Sequence, residues 1–271
     1  MPSLKKFQKI IYDHFKKNGR SFPWRETRDP YKILVSEIML QQTQAPRVVE
    51  KYNSFLKRFP AAEKLAHASD KAVLKEWQGL GYNRRGLNLK KAAEIVVMDY
   101  RGKFPKDYET LLTLPGVGPA TAGDLLAFAW NKPMIVIETN IRSVFIHFFF
   151  SDQKNISDNE LLPLIKKTLD KKNPRNWYYA LMDYGAYLKK TLPNPNRQSR
   201  HYTKQTAFRG SNRELRSKIL KYILAYPKQP QTIIAASLDL PEEHIQNNLI
   251  TMTKEGLIKE KKVKNIKVFY I

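Results

Sequence analysis

Residues Thr113–Gly123 read TLPGVGPATAG, an uncharged, glycine-containing turn near the middle of a lysine-rich chain. Gly116 and Gly118 are expected to give the backbone angles that other residues avoid, and to let it approach a neighbouring group closely. Pro119 suits the first position of a helix, where its missing N–H costs nothing. The amides of that helix start, helped by the helix dipole, predict an anion site. An ordinary corner between two helices is the alternative.

Helical segments are predicted on both sides of this turn, over residues 106–114 and 119–130. Together they form a helix–hairpin–helix, an element whose backbone binds phosphate without reading base sequence. The residues of the turn predicted to contact DNA are therefore Gly116, Val117, Gly118, Ala120 and Thr121.

The charge balance points to the same kind of partner. The 271 residues contain 48 Lys and Arg against 25 Asp and Glu, a formal net charge of +23, and 42% of them are hydrophobic, enough to form a core. A basic excess of this size on a globular chain predicts a polyanion, most often nucleic acid. A basic protein without such a partner is the alternative.

The chain has no cysteine, which excludes disulfides, thiolate zinc sites and iron–sulfur clusters and suits a reducing compartment. The first twenty residues lack the pattern of a signal peptide. No apolar run approaches the roughly 20 residues that cross a bilayer. These features predict a location in the cytoplasm, at the nucleoid, with no membrane partner. A monomer is also expected.

Apolar residues recur at helical spacing along most of the chain, so the predicted fold class is all-α. Outside the central hairpin the predicted helical segments are 7–15, 31–42, 46–59, 70–81, 84–100, 138–149, 158–170 and 174–191.

The last eighty residues change character. Residues 192–211, LPNPNRQSRHYTKQTAFRGS, are polar and basic and predict a linker or an extended arm. Three helical segments and a hairpin turning at Lys264–Asn265 follow, which is the order of a winged-helix module whose third helix commonly enters the major groove. A protein-binding module of the same fold is the alternative. The predicted domains are 1–191, 192–211 and 212–271.

Two carboxylates stand out. Glu37 lies among Val35, Ile38 and Met39, where loss of water would raise its pKa toward that of a general acid. Glu138 follows an apolar stretch, at the start of a helix. Two carboxylates in different surroundings suit cleavage of an N-glycosidic bond, because one protonates the leaving base and the other faces the cationic sugar. A solvent-facing Glu37 on an amphipathic helix is the alternative.

Several stretches, in order and at family-like spacing over roughly residues 20–190, resemble the MutY-type adenine DNA glycosylases of the helix–hairpin–helix superfamily. They are FPWRETRDPYKILVSEIMLQQTQAPRVVEKYNSFLKRFP, LKEWQGLGYNRRGLNLKKAAEIV, GKFPKDYETLLTLPGVGPATAG and IETNIRSVF. The resemblance implies a two-lobed helical fold, a target base flipped out of duplex DNA that carries a mismatch or lesion, and hydrolysis without a redox cofactor.

The resemblance also assigns roles to single residues. Glu37 matches the general acid, and Asn140 matches a polar residue that supports the catalytic carboxylate. Leu40 and Gln42 match the segment that enters the duplex beside the flipped base. Tyr82 matches the wedge that stacks beside the opposing guanine.

Further matches concern the base pocket and the hairpin. Trp24 and Arg25 lie where the family has residues near the pocket, although packing in the core is the expected role of Trp24. The family hairpin also binds a monovalent cation through its carbonyl groups, which implies K⁺ or Na⁺ at Leu114 and Val117.

Two positions depart from the family pattern. Glu138 stands where the family has aspartate, so its carboxylate is one methylene further from the backbone. An error of about 1 Å can cost on the order of a hundredfold in rate. Ala120 stands where lyases of the endonuclease III type have a nucleophilic lysine, which argues against a Schiff-base step.

Asp124 follows Ala120 by four residues and therefore shares its helical face. It is a candidate second carboxylate of the pocket if residue 120 lines that pocket. An aspartate on the solvent side of the helix is the alternative.

Two larger elements of the family are missing. A basic stretch replaces the usual cysteine cluster, and the predicted winged helix replaces the Nudix-like domain that recognises oxidised guanine. The sequence therefore predicts a monofunctional glycosylase that removes adenine opposite guanine or oxidised guanine. The alternatives are a thymine or uracil glycosylase acting at G mispairs, and a non-catalytic protein that binds DNA lesions.

Overall fold

A computed structural model describes residues 2–204 and 206–271 and is mostly helical, which confirms the predicted fold class. Short 3-10 helices lie at Pro23–Arg25 and Pro195–Gln198. The fourteen α-helices of the described residues are α1 Leu4–Asn18, α2 Pro30–Leu40, α3 Ala45–Arg58, α4 Ala62–Ala66, α5 Asp70–Trp77, α6 Arg84–Asp99, α7 Tyr108–Leu112, α8 Pro119–Trp130, α9 Thr139–Phe149, α10 Asp158–Thr168, α11 Pro174–Thr191, α12 Asn212–Ala225, α13 Gln231–Leu238 and α14 Glu242–Lys254. Within this described part, no helix combines the length and apolar character that a bilayer crossing requires.

The chain divides into two compact units that do not follow sequence order. Unit 1 contains the residues up to Glu37 together with Phe104–Lys204, and unit 2 contains Ile38–Lys103 together with residues 206–271. This division differs from the predicted domains, because the last sixty residues group with α3–α6 rather than standing alone. The hydrophobic core explains the grouping: Leu74 of α5 and Leu87 of α6 belong to the same buried cluster as Ile219 and Leu249.

Unit 1 is built on the contact of α1, α9 and α11. The rings of Phe145 and Trp177 lie 5.3 and 5.9 Å from the ring of Phe7, which is fully buried between them. Gly185 brings α11 close to the first turn of α9, because a Cβ atom there would lie 2.4 Å from the backbone oxygen of Asn140. This close approach aligns the start of α9, where Glu138 lies.

The C-terminal module follows the predicted order. Strands β1 Gln229–Pro230, β2 Lys259–Val263 and β3 Ile266–Tyr270 form an antiparallel sheet in the order β1-β3-β2, packed with α12–α14. The hairpin turns at Lys264–Asn265, where both residues have positive φ, as two-residue type I′ turns require. The predicted winged helix and the position of its turn are thus confirmed.

The predicted linker 192–211 is more ordered than its composition suggests. Its first part forms the second 3-10 helix, and Ser199 pairs with Ile156. The side chain of Gln198 donates hydrogen bonds to the backbone oxygens of Ser151 and Gln153, at 2.7 and 3.0 Å. Because polar and backbone contacts hold this stretch, its sequence shows no apolar periodicity. For that reason its sequence resembles that of a free arm. Gln205 of this stretch lies outside the described residues.

Several helix ends differ from prediction for a local reason. α2 ends at Leu40 rather than at Gln42, whose φ is 55°. α5 ends at Trp77, just before the glycines at which it was expected to stop, and Gly79 and Gly81 have φ of 92° and 71°. Left-handed backbone stops an α-helix wherever it occurs. The five-residue helix α4 is too short for its periodicity to be recognised.

Candidate active site and DNA interface

The hairpin predicted to bind phosphate joins α7 to α8. Gly116 has φ of 83°, so it adopts the left-handed conformation that glycine was expected to supply. Gly118 does not: its φ is −100° and ψ is −179°, which any residue adopts, so that part of the expectation is wrong. A Cβ atom on Gly118 would meet nothing within 4 Å. The second glycine therefore leaves open space in front of the backbone rather than permitting an unusual angle.

The start of α8 has the features of an anion site. Gly118 is the N-cap residue and has no side chain to accept hydrogen bonds from the first turn, and Pro119 occupies the first helical position. The amides of Ala120 and Thr121 belong to that turn, at the positive end of the helix dipole. The Leu114 carbonyl accepts a hydrogen bond from the Val117 amide, at 3.1 Å, which closes the hairpin.

Three carboxylates of unit 1 influence one another electrostatically. Glu37 lies on α2, Asp124 on α8 and Glu138 at the start of α9. Burial, and then the charge of Glu138, raise the pKa of Glu37 to about 8, although Arg25 acts in the opposite direction. Glu37 is partly buried rather than exposed, so the alternative of a solvent-facing glutamate is wrong.

Asp124 is buried, with 4% of its surface exposed. This excludes the alternative of a surface aspartate. Its Oδ1 atom has no hydrogen-bond partner among the described residues. Burial first, and then the charges of Glu37 and Glu138, raise the pKa of Asp124 well above its ordinary value. The surroundings of Asp124 therefore favour its protonated form, and its Oδ1 atom is left without a hydrogen-bond partner.

Glu138 caps α9 with its own side chain. Its Oε1 atom accepts hydrogen bonds from the backbone amides of Asn140 and Ile141, at 2.8 and 3.0 Å. Its Oε2 atom accepts one from Nδ2 of Asn140, at 3.2 Å. Lys189 donates to Oδ1 of Asn140, at 2.8 Å, and this bond fixes which side of the amide faces Glu138. Burial lowers the pKa of Lys189, while the charge of Glu138 opposes that change.

Arg25 is held by a buried acid. Its Nη1 and Nη2 atoms donate to the two carboxylate oxygens of Asp183, both at 2.8 Å, and its guanidinium lies 4.4 Å from the ring of Tyr179. Burial would raise the pKa of Asp183, but hydrogen bonds and charges from Arg25 and Arg20 hold it below its ordinary value. Trp24 is buried and stacks on Phe22 at 4.8 Å, the core role expected for it.

The residues predicted to enter the duplex belong to unit 2. Leu40 ends α2, and Gln42 follows it in the left-handed conformation. Tyr82 also has positive φ, 47°, and its side chain is 41% exposed. Non-glycine residues rarely adopt this conformation, and where they do the strain often marks a functional site. Arg213 of α12 donates a hydrogen bond of 3.4 Å to the Tyr82 hydroxyl.

Arg85 holds these two segments in place, and sequence reasoning missed it. Its Nη1 atom donates to the backbone oxygens of Ile38 and Met39, at 2.7 and 3.1 Å, and its Nη2 atom to those of Leu80 and Gly81, at 3.3 and 3.2 Å. One guanidinium therefore ties the end of α2 to the loop before Tyr82. The motif GLGYNRR contains Arg85, but only the fold reveals the carbonyl groups that it binds.

Asp183 and Lys189 were also missed, for a different reason. Both lie on α11, more than forty residues after the other groups of the site. An aspartate and a lysine on a long amphipathic helix resemble ordinary surface charges in a single sequence. Within residues 2–204 and 206–271, no group of three or more His, Asp or Glu side chains is arranged to hold a metal ion.

Comparison with known proteins identifies the family of this chain. Residues 35–169 match the model of the HhH-GPD superfamily base excision DNA repair proteins. A thymine/uracil-DNA glycosylase of Methanothermobacter thermautotrophicus is 30% identical over 187 residues, which are 68% of this chain and 85% of that protein. The chain belongs to the HhH-GPD superfamily. The matched region contains Glu37, Asp124, Glu138 and the hairpin.

Other relatives of this HhH-GPD chain share the same core. The adenine DNA glycosylase of Buchnera aphidicola subsp. Baizongia pistaciae is 36% identical over 194 residues, 69% of this chain. The chain spans about half, 54%, of that relative's length. The solved structure of a thermostable thymine-DNA glycosylase superposes with a TM-score of 0.61 at 29% identity, covering 68% of this chain and 86% of that one.

Alanine at the two hairpin glycines is expected to have different effects on stability. Gly118→Ala adds a methyl group in open space at an allowed angle, so stability is expected to change by less than about 0.5 kcal/mol while duplex binding weakens. Gly116→Ala strains a residue of positive φ and is expected to lower stability by about 1–2 kcal/mol. Denaturant unfolding and duplex titration measure both effects. If a stable Gly118→Ala variant binds DNA with unchanged affinity, the backbone at Gly118 does not contact the duplex.

Proposed function

We propose that the chain is a monofunctional DNA glycosylase that hydrolyses the N-glycosidic bond of a base flipped out of duplex DNA. The proton of Glu37 passes to the base as the C1′–N bond breaks, and the bonding electrons leave with the base. Water then adds to C1′ of the cationic sugar and gives up one proton, which restores the acid form of Glu37 directly or through solvent. The products are the free base and an abasic site. The observation that carries this proposal is Glu37 itself, a partly buried acid with a raised pKa beside two further carboxylates.

Glu138 is the proposed stabiliser of the cationic sugar. Its extra methylene, compared with aspartate, does not leave the carboxylate loose, because the start of α9 and Asn140 hold both of its oxygens. Lys189 acts as a positioning residue through Asn140. Such fixed orientation supports a role for Glu138, since electrostatic stabilisation depends on groups that need no rearrangement during reaction.

Asp124 is proposed to contact the flipped base. A protonated carboxylic acid offers one donor and one acceptor, and the edge of every base presents groups of both kinds. Its unpartnered Oδ1 atom supports this role, because a buried polar atom without a partner is costly in a structure that does not use it.

DNA binding is proposed to combine three elements. The hairpin at Gly116, Val117 and Gly118 and the amides of Ala120 and Thr121 at the start of α8 bind a phosphate, while the Val117 amide closes the hairpin by donating to Leu114. K⁺ or Na⁺ would bind at the carbonyls of Leu114 and Val117. The side chains of Leu40 and Gln42 enter the duplex beside the flipped base, and Tyr82 wedges beside the opposing base. The enzyme would act as a monomer in the cytoplasm, on double-stranded DNA with a mismatch or lesion.

The base removed is proposed to be adenine opposite guanine or oxidised guanine. The 36% identity with a named adenine glycosylase over most of this chain supports that reading. The thymine/uracil glycosylase, which this chain covers over 85% of its length, supports removal of thymine or uracil at G mispairs as the second candidate. Ala120 places no amine at the lyase position in either case.

A panel of labelled duplexes tests the proposal. Base loss opposite G is expected from A:G and A:oxidised-G, and strand cleavage is expected only after alkali treatment, because the enzyme lacks a lyase step. Release from T:G or U:G alone would replace the adenine assignment with the second candidate. Duplex binding without base loss from any of the four substrates would identify a non-catalytic lesion-binding protein.

Glu37→Gln is expected to lower single-turnover base release by at least about 100-fold, the usual contribution of a general acid, with duplex affinity unchanged. Wild-type rates should fall as pH rises through about 8, because only the protonated acid is active. Glu109→Gln, at an exposed glutamate of α7, is the matched control. Equal turnover by the Glu37→Gln variant would exclude Glu37 as the acid.

The same pKa predicts a stability effect of opposite sign. The folded state holds the Glu37 proton more tightly than the unfolded state does. The contribution of the protonated Glu37 to stability is therefore full at acid pH, and it is lost as pH rises from the ordinary pKa of 4.5 toward 8. Glu37→Gln removes this loss and should raise the melting temperature, relative to wild type, at pH 9 but not at pH 4.

Substitutions at Asp124 separate recognition from packing. Asp124→Asn keeps one donor and one acceptor and should release base within a few-fold of the wild-type rate. Asp124→Leu removes both and should slow release by about tenfold or more, while it raises stability by removing an unpartnered buried polar group. Single-turnover rates and thermal unfolding measure the two effects. Equal rates for both variants would restrict Asp124 to a packing role.

A further inference from the structure

The hairpin of the C-terminal module has an unusual concentration of lysine. Residues 259–267 read KEKKVKNIK, five lysines and one glutamate, a net charge of +4 on nine residues. All nine are exposed. We call this segment the lysine hairpin. Its only acid, Glu260, forms an ion pair with Lys267, with 3.0 Å between Oε1 and Nζ.

Folding alone does not favour this arrangement. Lys262 and Lys267 lie directly opposite each other on β2 and β3, and like charges at such a pair destabilise a sheet. Lys264 has φ of 47° at the turn, where glycine or asparagine would be less strained. An anion bound at this surface would offset the repulsion.

The base of the hairpin is rigid. Val268 and Phe269 are buried, and Phe269 belongs to the core that α12–α14 share. Its backbone oxygen also accepts a hydrogen bond of 2.8 Å from the Lys228 amide. The lysines therefore project from a rigid pair of strands, so the backbone loses little conformational entropy when they bind a partner.

The helix expected to read DNA has an unsuitable charge. α14, the third helix of the module, begins with Glu242 and Glu243, both exposed. These carboxylates would meet phosphate at the N-terminal end, through which a recognition helix contacts base edges. The only basic side chain of α14 other than His244 is Lys254, in the last turn. Entry of α14 into the major groove is therefore disfavoured.

We propose that the lysine hairpin binds the sugar–phosphate backbone of duplex DNA, as a second contact besides the glycine hairpin of unit 1. Lysine is depleted at protein–protein interfaces, where arginine and large aromatic side chains are enriched, so this composition favours a polyanion over a protein partner. As a flexible point charge, lysine suits phosphates without reading sequence. The inference needs duplex binding but not the proposed base release.

Replacing Lys261, Lys262 and Lys264 together by glutamine tests it in the full-length chain. Binding of an undamaged duplex should weaken by about tenfold or more at 0.1 M salt, and the slope of log K against log [salt] should become shallower by about 2–3, one for each lost phosphate contact. The melting temperature should not fall, because the repulsion between Lys262 and Lys267 is relieved.

Lys166, Lys167 and Lys171, exposed in unit 1, form the matched control, since their change to glutamine removes the same charge. The control triple variant should keep the wild-type slope. An arginine triple variant at the hairpin positions should also keep it. A wild-type slope and affinity in the hairpin glutamine variant would overturn the proposal, whether or not the enzyme releases a base.

A site-specific probe gives a second, independent readout. The chain has no cysteine, so Val263→Cys carries a single thiol on the hairpin, and Gln153→Cys carries one on unit 1. The fluorescence of an environment-sensitive probe at residue 263 should change over the range of duplex concentrations in which the protein binds undamaged DNA. The fluorescence of the same probe at residue 153 should stay constant. A silent probe at residue 263 under saturating duplex would contradict contact there.

Discussion

The proposed acid chemistry depends on burial inside unit 1, because burial favours the protonated form of a carboxyl group. A carboxylate removed from water is costly unless it is paired, and three of them here lie near enough to repel one another. Burial raises the pKa of both Glu37 and Asp124 and so favours their protonated forms, whereas Glu138 accepts hydrogen bonds from the start of α9. The proposed reaction gives this destabilising cluster a use, because an acid with a pKa near 8 donates its proton readily at neutral pH.

Positive charge near such a cluster must be controlled. If Arg25 paired directly with Glu37, the pKa of Glu37 would fall and the proton would be lost. Asp183 prevents this by binding both terminal nitrogens of the Arg25 guanidinium. Lys189 is directed in a similar way, since its bond to Asn140 places an amide between the ammonium group and Glu138. These hydrogen bonds of the two cations therefore go to Asp183 and Asn140 rather than to Glu37.

The sequence predicts local features of the fold well and pairings between distant residues poorly. The starts of α8 and α11 follow from the proline at the first position of each helix. The hairpin at Lys264–Asn265 follows from the alternation of residues on both sides of a turn. Glu37, Glu138 and the hairpin were recognised because the family motif is continuous there. Asp183 and Arg85 were missed because their partners are far away in sequence or are backbone carbonyls, which no side-chain pattern records.

The grouping of the C-terminal module with α5 and α6 was missed for a related reason, since Leu74 and Leu87 complete the amphipathic pattern of their own helices. Nothing in that pattern shows which core receives them. The two glycines of the hairpin illustrate the same limit on a smaller scale. Both were expected to have unusual angles, yet only Gly116 does, and the role of Gly118 depends on empty space that a sequence does not display.

Charge is divided between the surface and the interior of this chain. A net charge of +23 attracts a polyanion, whereas the proposed chemistry needs acids that stay protonated. These demands would support each other in the proposed complex with DNA. In the proposed complex, phosphates would add negative potential and exclusion of water would deepen the burial of Glu37. Both changes favour the uncharged form of a carboxyl group. Substrate binding would therefore strengthen the hold of Glu37 on its proton until the base, itself the acceptor, is in place.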